Sequence, residues 1–173
     1  MLASERLIEA FNGQIGHEMA ASLQYIAVAA YFDSEALPEL AQFFYRQSEE
    51  EREHAMKFVK FVLDVGARVE IPAIPAPKGE FDSAEEAVAL SVESEKRVTQ
   101  QIYELVDVAR TESNHIAGRF LDWFLEEQLE EVSTMSTLLQ IVHRAGPDRL
   151  LHVEDYLARH KRPLESPAAD AAP

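Results

Sequence analysis

Cysteine is absent from the 173 residues, which excludes disulfides, thiol catalysis and cysteine-ligated metal. Glycine is scarce, at six residues; with 47% hydrophobic and 27% charged residues, this predicts a helix-rich globular chain. No apolar run is long enough to span a bilayer, and the opening residues lack the basic-then-apolar order of a signal peptide. Together these absences predict a cytoplasmic protein with no membrane attachment. Positive charge is also short: 16 Lys and Arg stand against 31 Asp and Glu, for a net charge of −15. Nucleic-acid binding is dominated by cationic contacts to phosphate, so nucleic acid is not expected as a partner. Cations are the natural guests of such a surface, and the same acidity also serves solubility.

What is present is a series of long helical runs, expected to form one all-α domain over residues 1–161. The first, about Ser4 to Asp33, has an inward seam of Phe11, Ile15, Glu18, Ser22, Tyr25, Ala29 and Phe32, spaced alternately by four and three. The second, about Leu37 to Val65, opens near Pro38 and ends at Gly66. Its seam is Leu40, Phe44, Gln47, Glu51, His54, Phe58, Phe61 and Val65. Ala67 to Asp82 holds Pro72, Pro75, Pro77 and Gly79 and cannot be regular helix. Its sixteen residues, extended at roughly 3.3 Å each, reach about 50 Å, which is longer than the preceding helix. That reach lets the third helix lie parallel to the second. Ser83-Ala84-Glu85-Glu86 has capping-box spacing and opens the third helix, with seam Ala84, Val88, Ser91, Glu95, Val98, Ile102, Leu105 and Ala109. After a turn at Thr111 to Asn114, the fourth helix carries Phe124, Gln128, Glu131, Met135, Leu138 and Val142, and Gly146-Pro147 closes it. A short fifth helix is expected from Asp148 to about His160, then a disordered tail, residues 162–173.

Each of the four long helices thus has one glutamate on its inward seam: Glu18, Glu51, Glu95 and Glu131. Each lies near its helix midpoint, so the four should converge at one level of the bundle. Bare carboxylates gathered in a low-dielectric interior repel strongly, so either some hold protons or cations lie between them. His54, one turn from Glu51, adds a nitrogen ligand and gives a site suited to iron or manganese. Glu53, Glu93 and Glu126 read as surface residues, and His17, His143, His152 and His160 as surface or packing histidines, not ligands. Glu112-Ser113-Asn114-His115 repeats the Glu-x-x-His spacing, but in a turn, by chance.

Glu18 with Tyr25, Glu50-Glu51-x-x-His54, Glu95, and the run Trp123 to Glu131 resemble the ferritin family, as does Tyr31-Phe32-Asp33-Ser34 for its actinobacterial members. Ferritin-like di-metal bundles are also the standing example of carboxylates projecting into a helical core. The resemblance implies a four-helix bundle with a long crossover and a short fifth helix. It implies a di-iron ferroxidase centre, with Glu18, Glu51 and His54 on one iron and Glu95 and Glu131 on the other. Glu51 would bridge the two, Gln128 would position oxygen or water, and Tyr25 would donate a hydrogen bond or an electron. Glu50, Glu127 and Glu130 match residues around a third iron site. Dioxygen or hydrogen peroxide would be the oxidant, and the mineral would fill a shell of 24 copies. Arg52 stands where bacterioferritins have the haem-ligating methionine, and Gln128 and Glu131 replace their second Glu-x-x-His, so no haem is implied. The entry pore stays unassigned: Arg119, beside His115 and Asp122, would oppose cations there. The rivals are a di-metal oxidase or oxygenase acting on an organic substrate, and a helical scaffold with structural glutamates.

Overall fold

The computed structural model describes residues 2–160. Its helices are α1 (Glu5–Ser34), α2 (Pro38–Asp64), α3 (Ala84–Thr111), α4 (His115–Ala145) and α5 (Leu150–Arg159). No strand occurs among the described residues. The four long helices match the sequence boundaries to within about two residues. The fifth differs: Asp148 lies in a 3-10 turn, Pro147–Arg149, and regular helix starts only at Leu150. Gly146, at φ 67°, turns the chain out of α4, and Pro147 then opens the tighter turn. The expected tail lies outside the described residues.

Local chemistry explains most helix ends. Side chains of Ser4, Ser83 and Asn114 accept from the amides of Leu7, Glu86 and Ala117 at 3.0, 3.1 and 3.0 Å. The Glu86 carboxylate reaches back to the Asp82 amide at 2.6 Å, one residue beyond its usual capping-box target. Among the four long helices α2 is the exception, because Leu37 offers no capping side chain. Its free amides are met from α5: the two oxygens of Glu154 accept from Glu39 and Leu40 at 2.7 and 2.9 Å.

α1, α2 and α3 all end in one motif. The Ala67 amide donates to Val62 and the Gly66 amide to Leu63, both at 3.0 Å, with Gly66 at φ 80°. The same pair of bonds closes α1 around Ala36 (φ 59°) and α3 around Ser113 (φ 53°).

The buried residues settle helix direction. Leu40 and Phe44 early in α2 pack in one apolar cluster with Ala84, Val88 and Val92 early in α3. Phe58 and Val62 late in α2 share the other cluster with Val98, Ile102 and Leu105 late in α3. α2 and α3 are therefore parallel, and α1 and α4 run the opposite way, from the second cluster to the first. The long crossover lies along α1. Asn12 donates to the Arg68 carbonyl at 3.2 Å and accepts from the Glu70 amide at 3.1 Å. Pro72 covers Gly16, where any Cβ would overlap its ring. Two turns on, Gln24 exchanges bonds with the Lys78 backbone at 2.8 and 2.9 Å. The connection expected from reach alone is thus tied down at three levels.

Candidate metal centre

Between the two apolar clusters lies a layer of buried polar side chains: Glu18, Ser22, Gln47, Ser48, Glu51, His54, Ser91, Ser94, Glu95, Gln128, Glu131 and Thr134. The same heptad spacing that places phenylalanine and leucine above and below puts these residues inward. Glu18 and Glu95 are fully buried, and Glu51 is 1% exposed.

α1 supplies Glu18, which accepts a bond from Gln14 Nε2, one turn earlier, at 2.9 Å. α2 supplies Glu51 and His54. From α3 comes Glu95, braced on two sides. Tyr25 donates its hydroxyl to one carboxylate oxygen, and Gln128 donates to the other at 3.3 Å and to the Glu95 carbonyl at 3.2 Å. Gln128 also donates to Thr99 Oγ1 at 3.2 Å, so its amide is engaged in holding Glu95. α4 supplies Gln128 and Glu131. Ser22 Oγ donates to the Ser48 carbonyl at 2.8 Å, tying α1 to α2 beside the layer.

Ligand atoms of Glu18, Glu51 and His54 lie within 4.8 Å of one another, as do those of His54, Glu127 and Glu131. We refer to these as the inner and outer groups. Among the expected outer carboxylates, Glu127 joins such a group, while Glu50 and Glu130 do not. Gln47 donates to Glu50, and Glu130 acts on Glu127 through its charge. Glu53, Glu93 and Glu126 are exposed, as are His17, His115, His143, His152 and His160.

The inner group fits a divalent cation on an independent criterion. Glu18 Oε2, Glu51 Oε2 and His54 Nδ1 are buried without a hydrogen-bond partner. Leaving three such atoms unmatched is costly unless something else meets them. His54 Nδ1 and Glu51 Oε2 stand 3.5 Å apart. Two donors about 2.1 Å from one ion, at tetrahedral to octahedral angles, are separated by roughly 3.0–3.5 Å. Without an ion the charges are hard to hold. Burial pushes Glu18 up to about 7 and drives Glu51 well above the carboxylate range, with Glu95, Glu18 and Glu131 adding to the rise. Burial also raises Glu95, against the bonds from Tyr25 and Gln128. His54 is lowered by burial to about 4 and so remains neutral, with a lone pair free to bind metal.

Sequence periodicity located Glu18, Glu51, His54, Glu95, Gln128 and Glu131. It missed Gln14, Thr99 and the Ser22–Ser48 contact. Gln14 sits one turn from Glu18, a spacing that signals an i,i+4 bond only once Glu18 is known to face inward.

The Ferritin-like domain family matches residues 8–145. Ferritin BfrB of Mycobacterium tuberculosis is 46% identical over 160 residues, covering 92% of this chain and 87% of that protein. The bacterial non-heme ferritin of Staphylococcus aureus is 40% identical over 147 residues, covering 85% and 89%. Among solved structures, an open-pore ferritin from the archaeon Archaeoglobus fulgidus superposes with a TM-score of 0.88 at 34% identity, covering 91% of this chain and 97% of that one. The family match runs from within α1 to the end of α4, so the polar layer falls inside it. The chain belongs to the ferritin family, with bacterial ferritins among its relatives.

Proposed function

We propose that this ferritin stores iron and oxidises it first, as a ferroxidase, at a di-iron centre inside each subunit. Iron is the substrate and cargo here. Glu18, Glu51 and His54 hold one Fe(II), Glu95 and Glu131 the second, and Glu51 lies between them. The convergence of three unmatched buried ligand atoms on Glu18, Glu51 and His54 carries this reading.

Each Fe(II) gives up one electron to dioxygen or hydrogen peroxide, and carboxylates favour the Fe(III) that results. Gln128 and Tyr25 keep Glu95 oriented while its charge is shared with metal. Hydroxyl and amide donors on one carboxylate favour its ionised form, which is the form a ligand needs. Glu127 is half-buried, and with Glu50 and Glu130 it offers Fe(III) a way out of the centre. An enzyme that retained its metals would have no use for such a carboxylate path, which sets this reading above an organic-substrate oxidase. The released iron collects as a mineral in a cytoplasmic shell of like subunits, expected to number 24, without haem. Residues 1–161 form the single domain that does this.

Aerobic Fe(II) added to metal-free protein tests the reading. The expected result is fast oxidation of about two iron per subunit, then retention of many more in a large particle on size exclusion. Glu51→Ala should lose the fast phase, by at least roughly tenfold in rate, while helical content persists. Two metals held with no further uptake would overturn storage, and unchanged kinetics in Glu51→Ala would overturn the site.

A further inference from the structure

Glu18 is the member of the inner group that lies on α1, and its two oxygens have different surroundings. Oε1 accepts from Gln14 Nε2 at 2.9 Å, whereas Oε2 is buried with no hydrogen-bond partner. Gln14 is itself only 2% exposed, and the other end of its amide is also held. Gln14 Oε1 stands 3.2 Å from Nδ1 of the exposed His17. A carboxylate that binds metal only accepts hydrogen bonds, so the amide turns its NH2 to Glu18 and its oxygen to His17. The Nδ1 of His17 then carries the donating proton. A flipped amide would set oxygen against oxygen at Glu18. Gln14 is thus fixed in one orientation from both sides.

We propose that Gln14 is a specificity-determining positioning residue: by occupying Oε1 of Glu18 it leaves the inner group a single oxygen from that carboxylate, and so favours cations that gain from the His54 nitrogen, iron among them, over manganese. This role rests on the iron-oxidation reading above and gives that site a means of choosing its metal.

With Oε1 withheld, the atoms that await an ion are Glu18 Oε2, Glu51 Oε2 and His54 Nδ1, two oxygens and one nitrogen. With Oε1 released, Glu18 could turn both oxygens to the same ion, and the set would become richer in oxygen. Imidazole suits iron and zinc, while carboxylate and water oxygens suit manganese. Affinity for a mixed nitrogen and oxygen site already rises from Mn(II) to Fe(II) and is higher again for Zn(II). Restricting Glu18 to one oxygen widens that gap. Glu95 is held differently, since Tyr25 and Gln128 between them engage both of its oxygens. Glu18 alone has one oxygen fixed by an amide and the other unmatched within the inner group.

Zn(II) and Mn(II), titrated separately into metal-free assembled protein without oxygen, are the probes. Calorimetry gives the affinity of each, and the inner class of ion is the one lost in Glu51→Ala. Gln14→Met keeps the length of the side chain and removes the donor. Gln14→Asn keeps an amide but draws it back by one methylene, away from Glu18, and carries the test if the first variant does not fold. In either variant the ratio of Zn(II) to Mn(II) affinity at the inner class should fall roughly fivefold. Mn(II) bound there should also hold fewer exchangeable waters than in the parent, read by proton relaxation, because the second Glu18 oxygen displaces one. An unchanged ratio, whether both ions weaken alike or neither moves, reduces Gln14 to a structural brace and overturns the proposal. Failure of the parent protein to bind Zn(II) in the inner class overturns the iron-oxidation reading itself.

Discussion

Glu51 carries a heavy electrostatic burden. It is buried, it faces Glu95, Glu18 and Glu131, and one of its oxygens has no hydrogen-bond partner. Removing its charge while keeping its shape separates the needs of folding from those of metal binding. Glu51→Gln should raise the melting temperature of the metal-free protein near neutral pH, by roughly 2–6 °C, because a neutral amide spares folding the cost of burying and protonating this carboxylate. The same variant should lose most of the further rise that Zn(II) gives the parent, since ligand-induced stabilisation scales with affinity. Thermal scans with and without Zn(II) check both halves. If Glu51→Gln melts lower than the parent without metal, burial of the carboxylate is not the strain described here. Residues of this kind are legible in sequence because they break a period: a glutamate among phenylalanines at the expected spacing announces itself. Gln14 is not legible in that way, since on α1 it reads as an ordinary polar residue until Glu18 is known to face inward.

At the scale of the element, three helix ends share one hydrogen-bond pattern but not one residue type. Gly66 accepts the left-handed conformation freely, whereas Ala36 and Ser113 adopt it with a Cβ in the way. Ala36→Gly should therefore stabilise the fold by about 0.5–1 kcal/mol, and Gly66→Ala should destabilise it by about 1 kcal/mol. Denaturation midpoints read at constant slope test the pair; equal effects of one sign would refute the argument. The glycine stop at Gly66 was readable in the sequence, as were the breaks after Asp33 and at Thr111 to Asn114; the left-handed turns at Ala36 and Ser113 were not, because neither residue type advertises the conformation. The start of α2 was legible from Pro38, but its capping partner was hidden for a different reason. Its cap, Glu154, lies 114 residues further along the chain, and no local motif can reveal a partner that only tertiary packing delivers. The same holds for the 3-10 turn before α5, where proline signalled a break without giving its form.

For the whole molecule, the polar layer makes stability depend on pH in a direction opposite to that of an ordinary acidic surface pair. Glu18, Glu51 and Glu95 have folded-state pKa values above their unfolded ones, so the folded chain holds extra protons near neutrality. Their contribution is fully present below about 4.5 and is lost as pH rises, for Glu18 through about 7. His54 runs the other way: lowered to about 4, it adds stability as pH climbs from there towards 6.5. Three carboxylates outweigh one imidazole, so metal-free protein should melt lower at pH 7.5 than at pH 5.5. Zn(II) should reverse the order, because ionised carboxylates bind it best. Calorimetry at the two pH values decides; a metal-free protein more stable at pH 7.5 would count against the raised carboxylates. The architecture itself was legible because helical period, proline content and connection length each restrict the topology. Which parts of the crossover would meet α1 was not, since Asn12, Gly16 and Gln24 look unremarkable until Arg68, Pro72 and Lys78 lie against them.

The layer also divides the interior into two apolar compartments, one around Phe32, Phe44 and Leu138, the other around Phe11, Phe58 and Leu121. Each compartment is walled by one half of every long helix. Mechanically, the fold is two short barrels end to end, sharing four staves, with unmatched polar atoms gathered at the joint between them. On the proposed reading, cargo lodged at that joint would work as a rivet: a loaded subunit would be stiffest at its waist, and an empty one most pliant where the next ion must enter.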